Sequence, residues 1–162
     1  YIKFDMKKFD KKIQIRIIKI TLIIVWMVIV FCFSNQGGTK SSNTSRKVTV
    51  AVVQVVSDRT IEEDEPLLEN IEKIIRKLAH YTIYAVGGFL IMNYAYTTNR
   101  KTKEKVFYST AFGIGYAVTD ELHQFFVAGR SASIFDVCID ALGIVTGIGI
   151  YVIMRKAIEI KQ

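Results

Sequence analysis

The sequence lacks the short motifs that mark common chemistries. It contains no serine in a nucleophile elbow, no phosphate-binding P-loop and no HExxH motif, so it signals no established reaction. Its two cysteines, Cys32 and Cys138, form no CxxC or Cys/His spacing, which excludes a structural zinc site. A disulfide between them is not expected, because thiols embedded in apolar helices are generally inert packing residues.

Features of nucleic-acid binding are also missing. The chain carries 22 Lys and Arg against 15 Asp and Glu, a net charge of +7, yet no basic patch is interleaved with aromatic residues on which bases stack. The charged residues lie in blocks between apolar runs, a distribution typical of a membrane protein rather than a soluble one. Membrane topology and anionic lipid therefore explain the positive charge better than a nucleic-acid partner does.

Four apolar stretches have about the length that a membrane-crossing helix needs, ~20 residues for a hydrocarbon core of ~30 Å. They cover residues 17–33, 78–97, 106–127 and 134–154. The first is longer than a signal-peptide core and is followed by bulky residues, so we expect it to be retained. The sequence predicts an all-α fold, an integral membrane four-helix bundle forming one domain over residues 17–154.

The orientation of this bundle follows from the basic residues. They are concentrated in residues 1–16, 100–105 and 155–162, which fall on one side of a four-span protein. Because Lys and Arg in short loops favour the cytoplasm, both termini are predicted to be cytoplasmic, the first as a basic segment and the last as a tail. Segment 34–77 then lies outside, and its central part is net acidic.

The outer segment is predicted to be amphipathic and to have two parts. Val48 to Val56 is rich in β-branched side chains, which leaves a strand open, but without a sheet partner we favour a short helix on the outer leaflet. Pro66 fits the first position of another helix, with acidic residues near its positive end. No glycine or proline separates that helix from the second span, so it is predicted to continue into the membrane.

Ionisable residues within the apolar stretches indicate a site. A charge at bilayer depth costs at least roughly 2.5–3.5 kcal/mol, so such residues usually face a bundle interior and pair with one another. Steps of four residues, as in Asp136 and Asp140, place them on one helix face. All lie within about two turns of the predicted outer surface. The predicted pocket contains Arg76, Lys77, His80, Tyr84, Asp120, Glu121, His123, Gln124, Arg130, Asp136 and Asp140.

Several readings of these residues stay open. Arg76 and Lys77 are typical of side chains that extend to lipid headgroups, and Glu121 is expected to meet water near its helix end. Carboxylates with histidine suit acid–base chemistry, and arginines suit a bound phosphate or carboxylate. Some of the acids and His123 suit a divalent metal, although no recognised ligand spacing is present, so no metal site is predicted and no cofactor is identified.

These residues resemble the motifs of the VanZ-like family of bacterial membrane proteins, over about Ile20 to Met154. The matching pieces are Ser34-Asn35-Gln36, Ser41-Ser42, Arg76-Lys77-Leu78-Ala79-His80-Tyr81 with Tyr84, Thr119-Asp120-Glu121-Leu122-His123-Gln124, Arg130, Asp136, Asp140 and Gly143. The resemblance implies a bacterial plasma membrane location and a link to teicoplanin-type glycopeptide resistance. It marks the motif positions as site residues and carries no catalytic role.

Three functional hypotheses follow. The first is a pocket that binds an anionic cell-envelope component, either an envelope lipid or a lipoglycopeptide, and thereby alters glycopeptide sensitivity. The second is a membrane enzyme acting on a lipid-linked phosphate or glycan, with His80 or His123 as acid and base. The third, ion or proton passage, ranks last because the inner halves of the spans offer few polar residues.

Overall fold

The computed structural model describes residues 2–36, 45–51, 66–130 and 132–161 of the chain. Over these residues it is all-helical, which confirms the predicted fold class at that level. The five helices, in chain order, are α1 (Ile2–Ser34), α2 (45–51), α3 (Pro66–Ala95), α4 (Thr102–Phe125) and α5 (Ile134–Ile160).

Several helix boundaries agree with the sequence. Helix α3 begins at Pro66 and continues without interruption to Ala95, as predicted. Helix α1 is longer than the predicted span, because the basic segment before it is also helical from Ile2. Residues 45–51 are helical, which supports the helix interpretation for the start of segment 48–56, whereas residues 52–56 lie outside the described residues.

Helices α1 and α4 run in the same direction. The Tyr116 hydroxyl donates to the Met27 carbonyl at 2.7 Å, and one turn further along α1 and two turns further along α4 the rings of Phe31 and His123 stack at 4.8 Å. Helices α4 and α5 are antiparallel neighbours joined by a short turn, in which Gly129 has a φ of 76°. That positive φ is accessible to glycine without a steric penalty.

Helices α3 and α5 run parallel to each other and form the largest helix pairing. Their contact extends from His80 and Asp140 at one end to Asn93 and Tyr151 at the other. A Cβ on Gly147 would clash with the Ala85 carbonyl, so the two backbones approach as closely as a small residue allows.

Helix α1 packs antiparallel to α3 through one buried aromatic residue. Trp26 is 3% exposed, donates from Nε1 to the Ile83 carbonyl at 2.8 Å, and meets the Tyr84 ring edge-on at 5.8 Å. A Cβ on Gly87 would collide with the Trp26 ring, so this glycine makes the space for the indole. The core therefore centres on α1, α3 and α5, and α4 packs against them along its length.

Among the described residues, two helices are long and apolar enough to cross a membrane, Lys11–Ser34 within α1 and Ile134–Ile160. Only 22% and 28% of their apolar windows are buried, and side chains such as Ile18 and Ile153 face outward. The predicted spans in α3 and α4 contain more polar side chains and do not meet the same standard. The described helices thus establish an all-α fold with two candidate spans.

Candidate functional site

Asp120 lies at the centre of a buried hydrogen-bond network. Its Oδ2 accepts from the Ser34 hydroxyl at 2.8 Å, the Tyr84 hydroxyl at 3.1 Å and Gln124 Nε2 at 3.0 Å. The donors come from α1, α3 and α4, so a single carboxylate joins three helices. Three donors offset the free energy that burying a carboxylate would otherwise cost.

Arg130 connects this network to the end of α1. Its Nη1 donates to Gln124 Oε1 at 2.7 Å, its Nε to the Gln36 carbonyl at 3.0 Å and its Nη2 to the Phe33 carbonyl at 3.1 Å. One guanidinium therefore fixes the α4–α5 turn against the residues where α1 ends. The planar fork of arginine suits this role, because it presents donors in several fixed directions.

A second arginine lies near the first. Burial lowers the pKa of Arg130, and the like charge of Arg76 lowers it further, while Asp120 and Glu121 act in the opposite direction. Arg76 Nη2 donates to Glu72 Oε1, one turn earlier on α3, at 2.9 Å. The like charges of the two guanidinium groups therefore act on each other at this end of the bundle.

His80 and Asp140 form the contact between α3 and α5 at the same end. His80 Nδ1 lies 3.5 Å from Asp140 Oδ1, beyond the usual 2.7–3.2 Å of a nitrogen–oxygen hydrogen bond. The Asp140 side chain is 0% exposed, and neither of its oxygens has a hydrogen-bond partner in the described part of the chain. Buried carboxylates are normally satisfied, so Asp140 has acceptor capacity that a proton, a water or a ligand can use.

Glu121 is buried, contrary to the expectation that it meets water. It is 4% exposed, and its Oε1 accepts from the Ser133 backbone N–H at 2.6 Å. That N–H immediately precedes α5, so the carboxylate stabilises the positive end of the helix. The expectation was wrong because the short α4–α5 turn brings the start of α5 over a position that would otherwise face solvent.

The remaining predicted residues lie at the margin. His123 stacks on Phe31, and its Nε2 is buried without a partner among the described residues. Asp136 is half-buried, and no described residue donates a hydrogen bond to its carboxylate. Lys77 is exposed and lies outside the network, since a step of one residue moves a side chain about 100° around a helix.

Ser34 belongs to the site although it is absent from the predicted set. It is 2% exposed and contacts both Asp120 and Gln124, the latter at 3.2 Å. Its only signal in the sequence is the polar run Ser34-Asn35-Gln36 directly after the first span. The buried and half-buried polar residues at this end of the bundle, here called the polar cluster, are Ser34, Arg76, His80, Tyr84, Asp120, Glu121, Gln124, Arg130 and Asp140.

The polar cluster suits hydrogen bonding and charge recognition more than metal binding. Across the described residues, no three His, Cys, Asp or Glu side chains are placed to hold a metal ion. Cys32 and Cys138 are both free and exposed. The site instead combines two guanidinium groups with the contact between His80 and Asp140. The carboxylate oxygens of Asp140 have no hydrogen-bond partner among the described residues.

The sequence model of the VanZ/LLP1 family matches residues 19–155, a stretch that contains the whole cluster. The chain belongs to the VanZ/LLP1 family. The motif resemblance is thereby confirmed at the level of the family. No curated protein and no solved structure matches the chain.

Proposed function

We propose that this VanZ/LLP1 protein is a multi-pass protein of a bacterial plasma membrane, crossed by α1, α3, α4 and α5, with both termini in the cytoplasm. The alternating helix directions support four crossings, because α1 and α4 run opposite to α3 and α5. Exposed apolar side chains on α1 and α5 suit a lipid environment. The basic residues in 1–16, 100–105 and 155–162 support the orientation.

We further propose that the polar cluster, at the outer end, binds an anionic cell-envelope component and so influences sensitivity to teicoplanin-type glycopeptides. The observation that carries this proposal is the position of Arg76, whose Nε is buried without a hydrogen-bond partner among the described residues and whose like charge acts on that of Arg130. A phosphate or carboxylate between two guanidinium groups relieves that repulsion and accepts charge-assisted hydrogen bonds. An envelope lipid or a lipoglycopeptide supplies such a group.

Asp140 favours a ligand that also carries hydrogen-bond donors. Its two carboxylate oxygens, which have no hydrogen-bond partner among the described residues, can accept hydrogen bonds from a hydroxyl or an amine, and His80 lies beside them. Lipid-linked glycans and lipoglycopeptides combine an anionic group with hydroxyl or amino groups. A simple inorganic anion would satisfy only the arginines, so it is expected to bind more weakly.

The test uses two adjacent cations. Arg76→Gln and Lys77→Gln each remove one positive charge from α3, but only Arg76 is half-buried and acts electrostatically on Arg130. Binding of a lipoglycopeptide and of envelope lipids to the purified full chain is measured by calorimetry. We expect Arg76→Gln to weaken binding about fivefold, because removing one cation near an anionic group costs ~1 kcal/mol of binding free energy. Lys77→Gln should leave binding unchanged.

The corresponding test in cells measures teicoplanin sensitivity of a deletion strain restored with each variant. Arg130→Ala should lose the wild-type phenotype and Lys77→Gln should retain it. The proposal fails if no envelope component or lipoglycopeptide binds preferentially and Arg130→Ala cells keep wild-type sensitivity.

A second candidate, an enzyme acting on a lipid-linked phosphate or glycan, is favoured by the His80 contact with Asp140. A histidine beside a buried carboxylate is suited to exchange a proton with a substrate, while the arginines hold its phosphate. Envelope lipids from cells with His80→Gln should then accumulate an unprocessed species. An unchanged lipid profile alongside intact binding would favour the binding function.

A further inference from the structure

An apolar groove lies at the end of the bundle opposite to the polar cluster. It has a volume of about 630 Å³ and is walled by α1, α3 and α4. Most of its surface is aliphatic or aromatic, from side chains that include Ile20, Ile24, Met27, Ile91 and Phe112. That volume falls within the ~300–1,000 Å³ typical of small-molecule sites.

The rim of the groove is cationic. Arg100 and Lys105 line it, and none of the described residues that line it is acidic. The Arg100 guanidinium lies 4.3 Å from the centre of the Tyr108 ring, and the Lys105 ammonium lies 4.5 Å from that of Tyr96. Ring faces hold both cations in place without neutralising them, so their positive charge stays available to a ligand.

Two further cations of α1 reach the same end of the bundle. Lys19 donates to the Asn93 carbonyl at 2.9 Å and Arg16 to the Thr97 carbonyl at 2.7 Å. Neither is paired with a carboxylate in these bonds. A positive potential therefore surrounds the groove, which favours an anionic headgroup over a zwitterionic one.

We infer that this groove binds one anionic glycerophospholipid of the inner leaflet, with an acyl chain along its apolar wall and the phosphate at Arg100 and Lys105. The inference rests on the proposed membrane placement and orientation, and it does not depend on what the polar cluster binds. Exposed groups on both walls, such as Ile24 and Phe112, would otherwise face free hydrocarbon, so a lipid enters laterally. The charge lies at one end of the groove, as the headgroup of an amphiphile requires.

Native mass spectrometry of the full chain in neutral detergent tests the inference, with phosphatidylglycerol and phosphatidylcholine of identical acyl chains as probes. We expect retained phosphatidylglycerol adducts and few phosphatidylcholine adducts. Arg100→Gln combined with Lys105→Gln should lower phosphatidylglycerol retention about 25-fold, at roughly fivefold for each cation. The charge-conserving pair Arg100→Lys and Lys105→Arg should retain most of it.

The matched control is Lys101→Gln with Lys103→Gln, which removes the same charge from the same short segment, residues 100–105, at positions that do not line the groove. It should leave the lipid preference unchanged. Ala95→Phe, which fills the groove, should reduce adducts of both lipids without altering the cations. Equal retention of the two lipids, equal losses in the two charge pairs, or a groove-dependent dimer in place of lipid would each overturn the inference.

Arg76→Gln separates this inference from the function proposed for the polar cluster. It should leave phosphatidylglycerol retention unchanged even if it weakens binding of an envelope ligand. If Arg76→Gln changes the binding of no envelope ligand, the phosphatidylglycerol measurements on the groove variants still test the groove independently.

Discussion

The two ends of the bundle hold their charged groups by different means. At the polar cluster, buried Asp120 and half-buried Arg130 are held by hydrogen bonds to side chains and carbonyls, most of them from other parts of the chain. At the groove, Arg100 and Lys105 lie over aromatic faces near the surface. Hydrogen bonds have fixed directions and cation–π contacts tolerate more movement, so the first arrangement specifies helix positions and the second adapts to a ligand.

The comparison predicts where stability resides. Removing a buried partner leaves unsatisfied groups, whereas removing a surface cation leaves a tyrosine that remains packed. Substitutions at the polar cluster should therefore destabilise the fold, and those at the groove should mainly change lipid binding. The following variants, from the largest expected effect to the smallest, test that division.

Gly147→Leu should disrupt both ends at once. Gly147 lies where α5 meets the Ala85 carbonyl, midway along the contact that holds the two ends together. A leucine there displaces backbone rather than a flexible side chain, which we expect to cost about 3 kcal/mol or more. The measurement is the yield and thermal unfolding of the purified chain in detergent. Gly149→Ala is the control, because no atom lies within 4 Å of its added Cβ; equal losses in both variants would contradict the packing.

Asp120→Ala should affect the polar cluster more than the groove. It removes the acceptor of three hydrogen bonds, each worth about 0.6–1.7 kcal/mol in membrane proteins, so we expect a loss of roughly 2–5 kcal/mol. Asp120→Asn keeps one acceptor oxygen and should cost less. Unfolding with a denaturing detergent measures both. An alanine variant as stable as the wild type would mean that the three donors do not meet at this carboxylate.

Two tyrosine-to-phenylalanine changes compare the ends directly. Tyr84→Phe removes a donor to a buried carboxylate at 3.1 Å, and Tyr151→Phe removes a donor to the Asn93 side chain at 3.2 Å. We expect Tyr84→Phe to lower the free energy of unfolding by about 1–2 kcal/mol and Tyr151→Phe to lower it by less than about 0.5 kcal/mol. The difference arises because a hydrogen bond to a charged partner is stronger. Equal losses of unfolding free energy in the two variants would contradict the proposed difference between the two ends of the bundle.

The sequence predicts those members of the polar cluster whose place on a helix face follows from their spacing along the chain. Tyr84 lies one turn after His80, and Gln124 one turn after Asp120, so each pair shares a helix face. A common depth for the four helices then brings these faces together. The preference of proline for the first position of a helix likewise predicts the start of α3 at Pro66, which the structure confirms.

Other features depend on the path of the chain between helices, which spacing does not encode. Arg130 binds the carbonyls of Phe33 and Gln36, and any residue type presents a carbonyl. The burial of Glu121 follows from the α4–α5 turn rather than from its position on α4. Lys77, predicted at the site, lies outside it because adjacent residues of a helix face different directions.

A double-mutant cycle between Ser34 and Asp120 tests most directly whether distant segments meet in one polar cluster. The residues are 86 positions apart and joined at 2.8 Å. We predict that Ser34→Ala and Asp120→Asn couple by about 0.5–1.5 kcal/mol in unfolding free energy, whereas Ser34→Ala and Tyr151→Phe are additive. Additive effects for Ser34 and Asp120 in a folded protein would contradict the account.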